Sequence, residues 1–433
     1  MTTQIVTVNV TQNVAPAPSQ LQRTGAFVSQ GATTTANGTL TLLTQLSDLT
    51  SILTGAQTIS SMIWASSVVT VTVPSGHGIP VSDTLPVVIS GVVPAGYNGT
   101  FQATAVSTTV FTYPLVASPG AVTTQGTSTL YDVSELVAMA TTYFAQGTAN
   151  AIYVLELGAG VGADGVTALE AYITANPNTI YAYMVPYAMS ADASFVPFAK
   201  THESTTSQVY FWVNATLANY TSFKGVKSIV SMVQDITAPS TEWSPAAMLW
   251  VAMNYNPSNT NKVTPMAFSY VVGVTAFTGT VAQQQALRTA NCNYIGTGAE
   301  GGISNTLVLW GVTADGNDYT YWYSVDWVQI NINIAISNAI INGSNNPINP
   351  LYFNQAGINT LQKVSQGTMN SGIAFGLVLG PVTVNAVPFT TYVLDNPSDY
   401  AIGKYAGLSV TYTPARGFTQ IIFNVNVSSF ALA

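Results

Sequence analysis

The chain has 433 residues, of which 48% are apolar and only 6% charged, against roughly a quarter charged in an ordinary soluble protein. Nine Lys and Arg against seventeen Asp and Glu leave a formal charge of −8 with no basic run, which argues against direct nucleic-acid binding. Cys292 is the one cysteine, so no intrachain disulfide can form. Mean hydropathy is +0.33, yet no uninterrupted run of about 18 apolar residues exists, so no membrane insertion is expected.

A free monomer needs charge to cover its surface, whereas a subunit that buries its surface against copies of itself does not. Thr, Ser, Asn and Gln stand in for the charges here and can hydrogen-bond across contacts without the desolvation cost of ions. A β-rich secreted or surface protein would share this composition, although the start MTTQIVTVNV lacks the basic-then-apolar pattern of a signal peptide.

The N-terminus alternates: Val6, Val8 and Val10 point one way, Thr7, Asn9 and Thr11 the other, which predicts a strand. Pro16 and Pro18 follow in an extended linker that reaches Arg23 and could set the strand roughly 30 Å away at about 3.1 Å per residue. Residues 1–23 are therefore an N-terminal β-arm and linker. Residues 66–128 are short strands cut by Gly, Pro and Asn turns, with Asp83 as the only charge, and read as a small inserted β domain. Its two ends are expected to lie close together.

Residues 24–65 with 129–325 alternate helices and strands and predict a mixed α/β domain. A helix over YDVSELVAMATTYFAQ is expected to take Asp132 or Ser134 as its cap. Residues 326–433 are read as a C-terminal domain; two long helix candidates, Val325 to Ser344 and Phe353 to Gly376, open it, and strand patterns follow. The last one alternates Ile421, Phe423, Val425 and Val427 with polar partners. The fold class is thus mixed α/β and multidomain, with an inserted all-β domain and extended terminal β-arms.

Chemistry-bearing motifs are sparse. Gly158, Gly160, Gly162 and Gly165 sit between a strand and a helix, where backbone N–H groups can meet a phosphate. The spacing is not GxGxxG and no GxxxxGK[ST] follows, so a plain strand-to-helix turn is the simpler reading. His77 and His202, on separate domains, with Cys292 make no usual zinc set, and no GxSxG elbow marks a nucleophile. No catalytic residue, metal or cofactor is expected. Asp326 and Trp327 read locally as a helix cap and a core aromatic. The unusual feature is the pair of charge-free terminal strands, which ordinary proteins would blunt with Lys or Pro. They either pair within their own chain or donate to neighbours.

The order of motifs in the C-terminal half resembles the contractile-tail sheath proteins of myoviruses. An N-x-N-Y segment (Asn291, Asn293, Tyr294) precedes a glycine pair (Gly301, Gly302) and an aspartate-tryptophan helix (Asp326, Trp327). Then come a Q-x-G-I-x-x-L helix (Gln355, Gly357, Ile358, Leu361) and a final G-I-x-x-G (Gly372, Ile373, Gly376). The similarity covers roughly residues 130–433. It implies a virion protein, assembled in the host cytoplasm, that stacks as hexameric rings around a tail tube. Its terminal arms would add strands to neighbouring subunits, and the lattice would shorten to drive the tube through the host envelope. The implied partners are copies of itself, the tail tube protein, and baseplate and tail terminator proteins. Two other readings compete: a different virion, surface-layer or adhesin protein, and a nucleotide-binding α/β enzyme built on the Gly158 turn.

Overall fold

The computed structural model describes residues 20–147, 151–204, 207–260, 263–300 and 303–419. The two terminal strand patterns (Val6, Val8, Val10; Ile421, Phe423, Val425, Val427) and the glycine pair Gly301–Gly302 lie outside them.

In chain order, β1 (Gly25–Ser29) and β2 (Leu40–Leu43) precede a short helix α1 (Leu46–Thr50). Seven strands follow: β3 (Gln57–Thr58), β4 (Ser61–Ala65), β5 (Val68–Thr72), β6 (Thr84–Ser90), β7 (Gly99–Ala105), β8 (Val110–Pro114) and β9 (Thr127–Leu130). Helix α2 (Tyr131–Phe144), strand β10 (Ile152–Glu156) and helix α3 (Gly162–Ala175) come next. After them lie β11 (Ala182–Met184), α4 (Tyr187–Ala191), α5 (Phe195–Lys200), β12 (Tyr210–Ala215), β13 (Ile229–Val233) and α6 (Ser244–Met253). Then come α7 (Val281–Thr289), β14 (Asn293–Glu300), β15 (Ile303–Leu309) and two long helices, α8 (Tyr319–Ser344) and α9 (Gln355–Ala374). The described chain closes with β16 (Val378–Leu379), β17 (Val384–Ala386), α10 (Phe389–Asp395), α11 (Pro397–Ala401), β18 (Leu408–Val410) and β19 (Thr413–Pro414).

The body is a three-layer α/β unit. Its eight-stranded sheet runs β15-β14-β13-β12-β11-β1-β10-β2, parallel from β14 through β10 and antiparallel at both edges. One face packs Phe27, Tyr210 and Trp212 against residues of α2, α6 and α8, and the other packs Val28, Phe211 and Val213 against α3, α4, α5 and α7. Strands covered on both faces read as continuous apolar runs, and β1 is buried at every residue.

Strands β3 to β9 form a second, seven-stranded sheet. Its inner face holds Val69, Val71, Leu85, Val87, Phe111 and Tyr113, all buried, while threonines alternate outward. This sheet starts at Gln57, so the boundary expected at 66 falls in the β4–β5 turn, where Ser66 and Ser67 take positive φ. Its first and last strands pair, with Gln57 opposite Ser128. Leu130 ends β9 and is also the N-cap of α2. No side chain caps that helix, and Asp132, expected as its cap, is buried in its first turn instead.

The boundary expected at 326 falls inside α8. The helix begins seven residues earlier, at Tyr319, and Asp318 caps it through Oδ1 accepting from the Thr320 N–H at 2.9 Å. Helix α9 stops on a Schellman motif: Gly376 has φ +78°, its N–H reaches the Ile373 carbonyl at 3.1 Å, and the Leu377 N–H reaches that of Gly372 at 2.9 Å. Beyond α9, the described strands pair only two by two, β16 with β19 and β17 with β18.

Candidate functional site

Of the residues singled out by sequence, Asp326 and Trp327 lie on α8, and Gln355, Gly357, Ile358, Leu361, Gly372 and Ile373 lie on α9. Asp326 is not a cap: it lies mid-helix with no exposure. Its Oδ2 accepts from the hydroxyls of Tyr181 and Tyr210, each at 2.9 Å, and its Oδ1 has no partner. Those tyrosines stand on the sheet side, Tyr210 in β12 and Tyr181 just before β11. Tyr323 stacks edge-on against Tyr181 and Tyr255, and Tyr319 against Tyr210 and Trp212. Burial pushes the Asp326 carboxyl up to about 6, against the pull of Lys227 and the two phenols. Lys227 lies 4.5 Å from the Trp322 ring centre, a cation–π contact. The phenols of Tyr181 and Tyr210 are held well above their ordinary value by burial and then by the Asp326 charge. They remain donors at any ordinary pH.

Trp327, the next residue, turns about 100° away on the helix and meets α9. It packs edge-on against Phe375, with ring centres 5.8 Å apart. A Cβ on Gly372 would come within 2.9 Å of its ring. Gly372 therefore lets α9 approach α8, and Gly376 terminates α9. At the other end of α9, the Gly357 N–H donates to the Asn354 cap at 2.9 Å, and a Cβ there would strike the Tyr352 carbonyl. Ile358 is buried and Leu361 half-buried. The Gln355 amide oxygen accepts from the Phe389 N–H, tying α9 to α10. The asparagines of the N-x-N-Y segment also bind backbone. Asn293 bonds Ser231 and Val312 at 2.8–2.9 Å, and Asn291, at φ +57°, donates to the Ala314 carbonyl. Tyr294 packs against Phe277 and Trp310. Helix α8 is thus bonded to the sheet through Asp326 and packed on α9 through Trp327.

The Gly158 turn presents carboxylates where a phosphate would need donors. Glu156 accepts from the Ser29 hydroxyl, the Thr33 hydroxyl and the N–H groups of Gly31, Thr33 and Gly158, all within 3.0 Å. The Val161 N–H is taken by Asp164 at 3.2 Å. These are the donors an anion would use, and the chain's own acids hold them. His77 is a buried turn residue whose Nε2 lies 2.7 Å from the Ser107 carbonyl; His202 packs on Phe198 and Phe211 in the body. Cys292 is fully buried, and no cluster of three metal-type ligands occurs among the described residues.

The surface beyond α9 is different. Leu394, Ile402 and Phe418 are each at least 75% exposed there, and in the α8–α9 connection Ile348 is 84% and Tyr352 66% exposed. The charges from 345 to 419 are Lys363, Asp395, Asp399, Lys404 and Arg416.

No family model matches the chain, and no curated protein does. Among solved structures, the sheath tail protein Lin1278 from Listeria innocua aligns over 94% of this chain and 96% of its own. The identity is 11% and the TM-score 0.44. A chain of the anti-feeding prophage (AFP) baseplate in its contracted state aligns over 99% of both chains, at 12% identity and a TM-score of 0.47.

Proposed function

We propose that this chain is the structural subunit of a contractile tail sheath. In this reading it stacks as hexameric rings around a tail tube, exchanges terminal strands with its neighbours, and shortens as a lattice to drive the tube through an envelope. The observation that carries the reading is the surface after α9. Large apolar side chains stand exposed there beside two ladders of two and three residue pairs. A two-stranded ladder is marginal in water, and an exposed apolar patch with little charge marks an interaction surface. Residues 1–13 and 420–433 carry the alternating pattern that would extend such ladders, with main-chain bonds giving affinity and side-chain alternation giving register.

The motif order along α8 and α9 supports the same reading. A force-bearing subunit needs a rigid connection between its α/β body and its contact surface, and the Asp326 and Trp327 contacts supply one. Work would come from the free-energy gap between two packings of one polymer, with no nucleotide required. Its partners are then copies of itself, the tube, the baseplate and the terminator of the tail.

Deleting residues 1–13 tests the strand exchange. The truncated chain should keep the circular dichroism and melting temperature of the full chain but stay a monomer in sedimentation at concentrations where the full chain polymerises. Polymers of normal size from the truncated chain would contradict donation by that arm.

A further inference from the structure

The β3–β9 module sits on the body across a cleft of about 400 Å³. Its module wall is the uncharged outer face of β6 and β7, with Thr84, Pro86 and Gln102; its body wall includes Tyr131, Asp132, Glu135 and Tyr187. Asp132 and Glu135 lie one turn apart on α2 and are 7% and 4% exposed. Their surroundings differ sharply from those of Glu156 nearby. Glu156 receives five hydrogen bonds, Glu135 receives one from the Tyr187 N–H at 3.2 Å, and Asp132 receives none among the described residues.

The groups facing the pair offer no compensation. On α2 there is Tyr131; on β10, Glu156; near the start of α3, Asp164; and after α4, Asp192. The module carries only Asp83 as a formal charge. The only ion pair among the described residues joins Lys404 and Asp399, in another part of the chain. The N-terminal ends of α2 and α3 border the cleft and favour anions, but burial outweighs them. Burial, then the Glu156 charge, pushes Asp132 up to about 7; burial, then the Asp132 charge, pushes Glu135 up to about 8.

We propose that the seat of the β-module on the body is a proton-controlled joint. Asp132 and Glu135 hold it closed as neutral acids. When they ionise, the cleft between β6–β7 and α2 widens around the two charges, and the module loosens from the body. Because β9 passes directly into α2 at Leu130, one residue before the cleft-lining Tyr131, loosening of the seat reaches β9 and the first turn of α2 together. Both acids are held above their ordinary values in the closed state. The stabilisation they give is therefore complete below about pH 4 and is lost as pH rises through 7 to 8.

The test is hydrogen–deuterium exchange on the full chain between pH 6 and pH 9, corrected for the intrinsic rise in exchange rate with base. Amides of β6, β9 and the first turn of α2 should open at least about tenfold more between pH 7 and pH 9, since each ionising acid contributes up to tenfold per pH unit. Amides of β12 and β13 in the body should not follow. The Asp132→Asn/Glu135→Gln double variant should lose the rise, and Glu135→Gln alone should lose part of it, which serves if the double variant folds poorly. A flat profile in the native chain, an unchanged rise in the variants, or a parallel rise in β12 and β13 would overturn the proposal. So would suppression of the rise by millimolar calcium, which would make a metal ion rather than a proton the occupant.

Discussion

The α/β body and the region beyond α9 are built on opposite principles. In the body, a mostly parallel sheet is covered on both faces, and Asn293 and Asp326 are tied inside it, Asn293 to backbone and Asp326 through Oδ2 to two tyrosines. Beyond α9, the described strands, of two or three residues, pair only in twos, and large apolar side chains face outward. The body is a finished object and the other region an unfinished one, completed on the proposed reading by copies of the chain. Helix α8 joins them, buried along its first half and half-exposed towards Ser344.

The largest effect is expected where helix α8 is bonded to the body. Asp326→Ala leaves the Tyr181 and Tyr210 hydroxyls buried without their acceptor and should cost about 3–5 kcal/mol in urea unfolding. Asp326→Asn keeps an acceptor and should cost about 1 kcal/mol or less at pH 7. Because burial raises the Asp326 carboxyl to about 6, the native chain draws stability from this group below about pH 4. It loses that stability as pH climbs through 6, and Asp326→Asn should lack that part of the slope. Equal stability of the Ala variant and the native chain would break the distinction between a finished body and an unfinished periphery.

A smaller effect is expected at the second joint. Gly372→Val places a Cβ about 2.9 Å from Trp327 and 3.1 Å from Val378, and overpacking of this kind costs about 1–3 kcal/mol. The near-ultraviolet signal of Trp327 should change while far-ultraviolet helicity stays. An unchanged tryptophan signal would show that α8 and α9 do not depend on this contact.

Much of this plan was legible in the sequence, and the misses have physical causes. The strand-rich texture of the module and the paired long helices were readable because turns and apolar periodicity are local signals. The central strand β1 was not, since its five residues are buried on both faces and show no alternation. Asp326 read as a helix cap because YTYWYS has the aromatic content of a strand; packing against Tyr181, Tyr210 and Tyr255 makes it helical. The module began earlier than expected because Ser61–Ala65 is a hairpin partner of Val68–Thr72. No sequence signal brought Asp132 and Glu135 to a domain joint, because the opposing wall comes from β6 and β7.

The smallest effect on stability should accompany the largest effect on assembly. The Leu394→Lys/Ile402→Lys double variant alters exposed positions only, so unfolding should shift by no more than about 0.5 kcal/mol. Electron microscopy of the purified full chain beside this variant tests the central claim most directly. The native chain should form long tubes of one or two fixed diameters, and the variant should not. Native protein that stays dispersed as single particles at high concentration, or a variant that builds the same tubes, would contradict a subunit completed by its neighbours.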